Sequence, residues 1–184
     1  MLSLTALSLD SVMLDEAKAY LRLESDQEDA ALGAIILAAI GHAEAFTRQV
    51  LIRRNVRQII SASANWTRLS ATPVAVISGV TGIPADGAGF VLPLENYATD
   101  IDKNSDGYVR IMQAGAAGRV EISYQAGTAA NWTELPETLR LGILRLTGHL
   151  HLHRDASDDA GPPAAVAALL RPWRRMALSG ARGS

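Results

Sequence analysis

The chain has 184 residues, 48% of them apolar and 5% aromatic, with a formal net charge of −2 and no cysteine. Such a length can bury a sizeable core without a disulfide or metal staple, and the apolar share excludes an intrinsically disordered chain. The slightly acidic balance argues against a protein that grips nucleic acid over a broad face, and the lack of cysteine removes thiol catalysis and cysteine-based zinc sites.

Residues 15–23 read as a short helix with Ala17, Tyr20 and Leu21 on one face. Ser25-Asp26-Gln27-Glu28 has the form of a capping box, in which a serine and a glutamate satisfy free backbone N–H groups reciprocally. It predicts a long helix over 26–49, with Leu32, Ile35, Ile36, Ala39, Ala43, Phe46 and Val50 spaced three or four apart. From Ile52 the period changes. Val56, Ile59 and Ile60 sit in one β-favouring run, and 73–80 form another, closed by glycines. Residues 82–89 read as a loop, and Phe90-Val91-Leu92 as an edge strand stopped by Pro93. Val109 and Ile111 alternate in 108–112, and Val120, Ile122 and Tyr124 alternate with Arg119, Glu121, Ser123 and Gln125. Gly115 and Gly118 between these runs predict a hairpin.

Pro136 opens a second long helix, to about residue 153, in proline's favoured first-turn position. Leu139, Ile143, Leu146 and Leu150 form one stripe; Leu141, Leu144, Gly148 and Leu152 form the opposite one. A helix with two apolar stripes needs partners on both sides, so the second stripe predicts a further element or another subunit. Residues 155–163 read as a polar linker and 164–170 as a short helix interrupted by Pro172, and the last 14 residues carry four arginines and no acid. The expected fold is α+β: a helix-dominated domain over 1–155 with two long helices and a small, mostly antiparallel sheet or hairpins, then a linker and C-terminal arm over 156–184.

No stretch reads as a membrane span, which takes roughly 20 apolar residues. The uncharged run 30–43 is too short, and 69–85 carries prolines, glycines and hydroxyls. No Lys or Arg precedes Lys18, so no secretory signal is expected and a cytoplasmic site of synthesis and use is.

The local motifs are each weighed against a plainer reading. Asp102-Lys103-Asn104-Ser105-Asp106-Gly107 has the oxygen ligands and glycine of the start of an EF-hand calcium loop, but Gln113 stands where a bidentate glutamate is needed. An ordinary turn is the favoured reading, and a small-ligand or calcium-binding module is the alternative function. His149 and His153 stand one helical turn apart and could share a metal in a hydrolase, yet His151 points elsewhere and Arg145 and Arg154 are close. A flank or interface role is favoured. The tryptophans of Asn65-Trp66-Thr67 and Asn131-Trp132-Thr133 are expected to anchor loops, and Arg53, Arg54 and Arg57 to line a solvated strand face or make subunit salt bridges rather than bind phosphate. Asp155, Asp158 and Asp159 read as solvated charge in the linker. No P-loop, dinucleotide fingerprint or nucleophile elbow is present, and no nucleophile–base–orienter set can be assembled.

The order of segments is more specific than any single motif. Asp15-Glu16-Ala17-Lys18-Ala19-Tyr20-Leu21-Arg22-Leu23, Glu44-Ala45-Phe46-Thr47, Thr72-Pro73-Val74, Val120-Glu121-Ile122-Ser123-Tyr124-Gln125-Ala126-Gly127, the Leu135-Pro136 helix through Leu139-Arg140, and Leu169-Leu170-Arg171-Pro172-Trp173-Arg174 follow one another along the chain. This series resembles the head–tail connector (adaptor) family of tailed phages, also found in gene transfer agents. Gly142 departs from the alanine usual in that helix, and Trp173 from a tyrosine. The resemblance implies a structural protein, not an enzyme, without metal or cofactor. It implies a ring, commonly dodecameric, in the neck of a phage-like particle, assembled in the host cytoplasm. The ring would sit between a portal protein and a stopper or tail terminator, with DNA passing through its lumen unbound and no membrane partner. On that reading Leu169, Leu170, Arg171, Trp173, Arg174 and Arg175 are expected to contact the portal, and Leu141, Leu144 and Leu152 to contact a neighbouring subunit.

Overall fold

The computed structural model describes residues 1–153 and 162–175. Along the chain it holds β1 (Leu2–Leu4), α1 (Ser11–Leu21), α2 (Asp29–Thr47), β2 (Arg54–Ser61), β3 (Thr67–Arg68), β4 (Val74–Pro84), β5 (Phe90–Val91), β6 (Tyr97–Ile101), β7 (Gly107–Ile111), β8 (Ala117–Ala126), α3 (Glu137–Leu152) and α4 (Ala164–Leu170). Short 3-10 turns follow β5 and α4, at Leu94–Asn96 and Arg171–Trp173. The described residues divide into two compact units: Met1–Ala6 with Arg53–Thr128, and Leu7–Ile52 with 129–153 and 162–175.

The expectation of a helix-dominated domain with two long helices and a small sheet is corrected here. Among the described residues, strand accounts for 29% and helix for 35%, in eight strands and four helices. The strands form two antiparallel sheets, one of five in the order β1-β2-β8-β4-β5 and one of three in the order β3-β7-β6. The predicted hairpin between 108–112 and 120–125 does not exist. β7 pairs with β3 and β6, whereas β8 lies between β2 and β4 in the other sheet. Gly115, at φ 59°, sits in the segment that carries the chain from one sheet to the other.

β8 is the central strand because its alternation is complete: Val120, Ile122, Tyr124 and Ala126 are all buried, against more exposed Arg119, Glu121, Ser123 and Gln125. β4 runs on through Gly79 to Pro84, past the predicted stop, with irregularities between Val74 and Val76, Ile77 and Gly79, and Ile83 and Pro84. Such bulges let a strand keep its place in a ladder while absorbing an extra residue. A buried polar clamp holds the turn after β3 to this sheet. The Tyr124 hydroxyl donates to Gln58 Oε1 at 2.8 Å and accepts from the Ala71 N–H at 3.1 Å, while Gln58 also exchanges bonds with Ser70.

In the other unit, the core is built on α2 and α3. Leu32, Ile36, Ala39, Ile40 and Ala43 of α2 are buried with Leu139, Ile143, Leu144 and Leu146 of α3. By length and composition α2 could cross a membrane; that buried face is the core of this unit. The capping box at Ser25 does not form: Glu28 makes no side-chain cap, and Ser25 Oγ accepts instead from the Gln27 N–H at 3.2 Å. The helix therefore starts at Asp29, and Lys18 of α1 pins the short connection by pairing with Asp26 and, at 2.9 Å, with Asp29. α1 itself begins at Ser11, four residues before the predicted start, because Asp10 Oδ1 accepts from the Val12 N–H at 3.1 Å as an N-cap.

Candidate functional site

The surface that the sequence singles out lies around the N-terminal half of α3. Residues 162–175 dock onto the helical unit. Pro163 precedes α4, whose Val166 and Leu170 are buried in the same core as α2 and α3. Leu170 enters a notch opposite Gly142, where a side-chain Cβ would stand 2.9 Å from Leu170 Cδ2. Trp173 Nε1–H donates to Thr138 Oγ1 at 3.0 Å, the Trp173 carbonyl accepts from Gln49 Nε2, and the Arg175 N–H donates to the Thr47 carbonyl at 2.9 Å. The Arg174 guanidinium lies 5.7 Å from the centre of the Phe46 ring.

Of the six residues expected to face a portal, Leu170 is thus a core residue of this chain. Arg171 and Arg174 are exposed, and Leu169, Trp173 and Arg175 are half-buried. Leu169 and Trp173 line a shallow apolar hollow of about 350 Å³ with Thr138, Ala168 and Pro172. Of the three leucines expected at a subunit contact, Leu144 is 7% exposed within the chain's own core and Leu152 is 76% exposed. Leu141, half-buried, helps to line a second hollow of about 240 Å³ with Glu16, Glu137, Thr138, Arg140 and Leu144. Thr138 belongs to both hollows, so residues assigned from sequence to two interfaces meet on one surface.

A polar joint that sequence reasoning missed stiffens the rim of this surface. Glu16 Oε2 accepts from the indole N–H of Trp132 at 2.7 Å, and Glu16 Oε1 pairs with Arg140 Nε at 3.3 Å. Arg140 also reaches Glu137 Oε1 at 3.3 Å and the Thr133 carbonyl at 3.4 Å. Trp132 is 1% exposed, as expected of a loop anchor, but its polar partner lies 116 residues away and leaves no local signal. Trp66 sits under Arg110, whose guanidinium is 4.8 Å from the ring centre.

The calcium-like segment is the turn between β6 and β7. Asp102 Oδ1 accepts from the backbone N–H groups of Asn104 and Asp106, both at 2.9 Å. Asp106 Oδ1 receives Arg68 at 2.7 Å and the Thr72 hydroxyl at 2.9 Å, and this carboxylate holds the Arg68 guanidinium above its ordinary pKa. Asp102 Oδ1 and Asp106 Oδ1, two of the oxygens that a cation would need, face protein donors. Among the described residues, no group of three or more His, Asp or Glu side chains is gathered as for a metal ion. His149 and His153 stack at 4.4 Å between ring centres, and His153 Nδ1 contacts the His149 carbonyl at 2.9 Å. Arg154, Asp155, Asp158 and Asp159 lie outside the described residues.

No protein-family profile matches the chain, and no curated protein matches its sequence. Solved structures do. A chain from the neck of an empty gene transfer agent particle, computed with C6 symmetry, superposes with a TM-score of 0.78 at 26% identity, over 98% of this chain and 99% of that one. A chain of the virion of a native gene transfer agent particle gives 0.73 at 28% identity over 98% of both. A chain from the neck of a native particle, computed with C12 symmetry, gives 0.73 at 27% identity, over 98% and 99%. The likeness takes in both units and agrees with the ordered motifs from residue 15 to residue 174. In fold and sequence the chain is similar to chains of gene transfer agent particles, which supports a structural head–tail connector role in a phage-like particle. Its place is the neck of a particle of the gene-transfer-agent kind, and the rotational symmetry of those necks supports an oligomeric ring.

Proposed function

We propose that the chain forms the adaptor ring between the portal and the stopper or tail terminator, with DNA passing through the lumen without specific binding and with no catalytic step. The observation that carries this reading is the end-to-end likeness to chains of gene transfer agent particles, 98% of this chain at 26–28% identity, two of them from the neck. The portal-facing surface is the outer side of the docked C-terminal segment. Arg171 and Arg174 offer exposed guanidinium groups to carboxylates, and Leu169 and Trp173 frame an apolar hollow that a partner side chain can enter. Tryptophan and arginine are the residue types enriched at interface hot spots. Leu170 holds the segment in place rather than touching the partner, and Leu141 and Leu152 keep surface available for a neighbouring subunit.

The test is quantitative mass spectrometry of purified particles, together with a binding assay against the portal. The chain should be present in a copy number fitting a ring. Arg171→Glu with Arg174→Glu should weaken portal binding while the melting temperature stays near that of the unaltered chain. Absence of the chain from particles defeats the adaptor reading, and unchanged portal binding defeats the surface assignment.

A further inference from the structure

Among the described residues, the five-stranded sheet has two open edges of unlike character. At one edge, the Met1, Ser3 and Thr5 backbones face β2, through Ile59 N–H to the Met1 carbonyl at 2.8 Å and Thr5 N–H to the Asn55 carbonyl at 2.9 Å. The alternation of an antiparallel ladder then turns the N–H and C=O groups of Leu2 and Leu4 outward. At the other edge, Leu92 N–H donates to the Val80 carbonyl at 3.0 Å, so the backbone of Val91 faces outward. Both edges expose apolar side chains: Leu2 at 43%, Phe90 at 38%, Val91 at 78% and, in the turn just beyond, Leu94 at 78%. Natural proteins usually guard such edges with lysine, proline within the strand or a covering element, because an open edge templates pairing with another chain.

The charges at the two edges are opposite. Residues 1–9 carry no charged side chain, and the exposed Arg53 and Arg57 belong to the segment beside them, with Ser3 directly opposite Arg57 in register. Between residues 82 and 100 every charged side chain is acidic: Asp86, Glu95 and Asp100, of which Asp86 and Glu95 are exposed. Because four antiparallel pairings lead from one edge to the other, β1 and β5 run in the same direction. Copies related by a rotation axis therefore meet with parallel edges, whereas a two-fold pair would join like edges. A heterologous contact of this sort generates a ring when its rotation closes.

We infer that the ring is held by sheet continuation: the basic β1–β2 edge of one copy receives the acidic β5 edge of the next. Leu2 and Leu4 lie beside Phe90 and Val91 across the joint, and Arg53 and Arg57 meet Asp86 and Glu95. This contact rests on the adaptor reading and is separate from the α3 leucines.

The chain has no cysteine, so introduced thiols report cleanly. Particles carrying Leu2→Cys with Val91→Cys, treated with a short bismaleimide, should give a ladder of cross-linked multimers of this chain. Each single variant should remain monomeric. Arg57→Glu or Glu95→Arg alone should lower incorporation into particles several-fold, and the two together should restore it. A chain present in ring copy number that gives no ladder, or single variants that give dimers, overturns the edge-to-edge joint and leaves the adaptor reading standing. A chain absent from particles overturns both.

Discussion

Leu170 fills the space that Gly142 leaves open: any side chain at position 142 would begin 2.9 Å from a Leu170 methyl group. The pair decides how the C-terminal segment sits, since α4 reaches the core through Leu170 and Val166. Gly142→Ala should change stability by less than about 1 kcal/mol, because relief of the mid-helix glycine cost offsets a small shift of Leu170. Gly142→Leu should expel Leu170 and lower stability by about 2–5 kcal/mol, the range for losing a buried leucine. Urea denaturation of the two variants checks this; equal midpoints would show that the notch is not filled.

Glu16 accepts the indole N–H of the buried Trp132. Glu16→Ala should cost about 1–3 kcal/mol by leaving that donor unpaired. Glu16→Gln keeps an acceptor in place and should cost less. Thermal melts of both resolve the difference, at roughly 2–4 °C per kcal/mol for a chain of this size.

Burial pushes the Tyr124 hydroxyl above its ordinary value of 10.0, partly opposed by the Ala71 N–H. The folded state therefore holds this proton more tightly than the unfolded state. Its contribution is fully present below pH 10 and is lost as pH rises through the folded pKa. Tyr124→Phe should lower stability at neutral pH by about 1–3 kcal/mol, because Ala71 and Gln58 lose a buried partner. It should also flatten the alkaline decline. Denaturation midpoints across pH 8–11 (a range set by the roughly pH 10 ionisation of tyrosine) test both statements.

Asp102 acts as an acceptor for two backbone N–H groups, which requires an oxygen but not a charge. Asp102→Asn should melt close to the unaltered chain, and Asp102→Ala should be less stable by about 1 kcal/mol. Added calcium should leave the melting temperature unchanged. A calcium-dependent rise that Asp102→Asn abolishes would restore the cation reading.

The local patterns were readable wherever one element's own periodicity carries the information. The three-to-four spacing of Leu32, Ile36, Ala39 and Ala43 and the stripe of Leu139, Ile143 and Leu146 identify α2 and α3 within a few residues of their ends. The strict alternation from Val120 to Tyr124 identifies β8. The ordered motifs also pointed to the connector family before any coordinates, because a series of weak matches in sequence order is improbable by chance. By contrast, β6 is built from Tyr97, Ala98, Thr99, Asp100 and Ile101, a mixture with no apolar alternation, and was invisible. β1 had a faint signal in the alternating Leu2 and Leu4, but its meaning lies in a partner more than fifty residues along the chain, with Leu2 opposite Gln58.

The chain's sequence by itself determined the main helices and the central strand β8, and the connector family that the order of its motifs resembles, because both are written in residues close together. Only the tertiary structure decided that β7 and β8 lie in different sheets, that Leu144 and Leu170 serve the chain's own core, and that Glu16 belongs to Trp132. Strand partnership and the choice between an inward and an outward leucine depend on what else competes for the same buried surface. Residues as distant as Gly142 and Leu170, or Glu16 and Trp132, settle that competition only when the chain has folded.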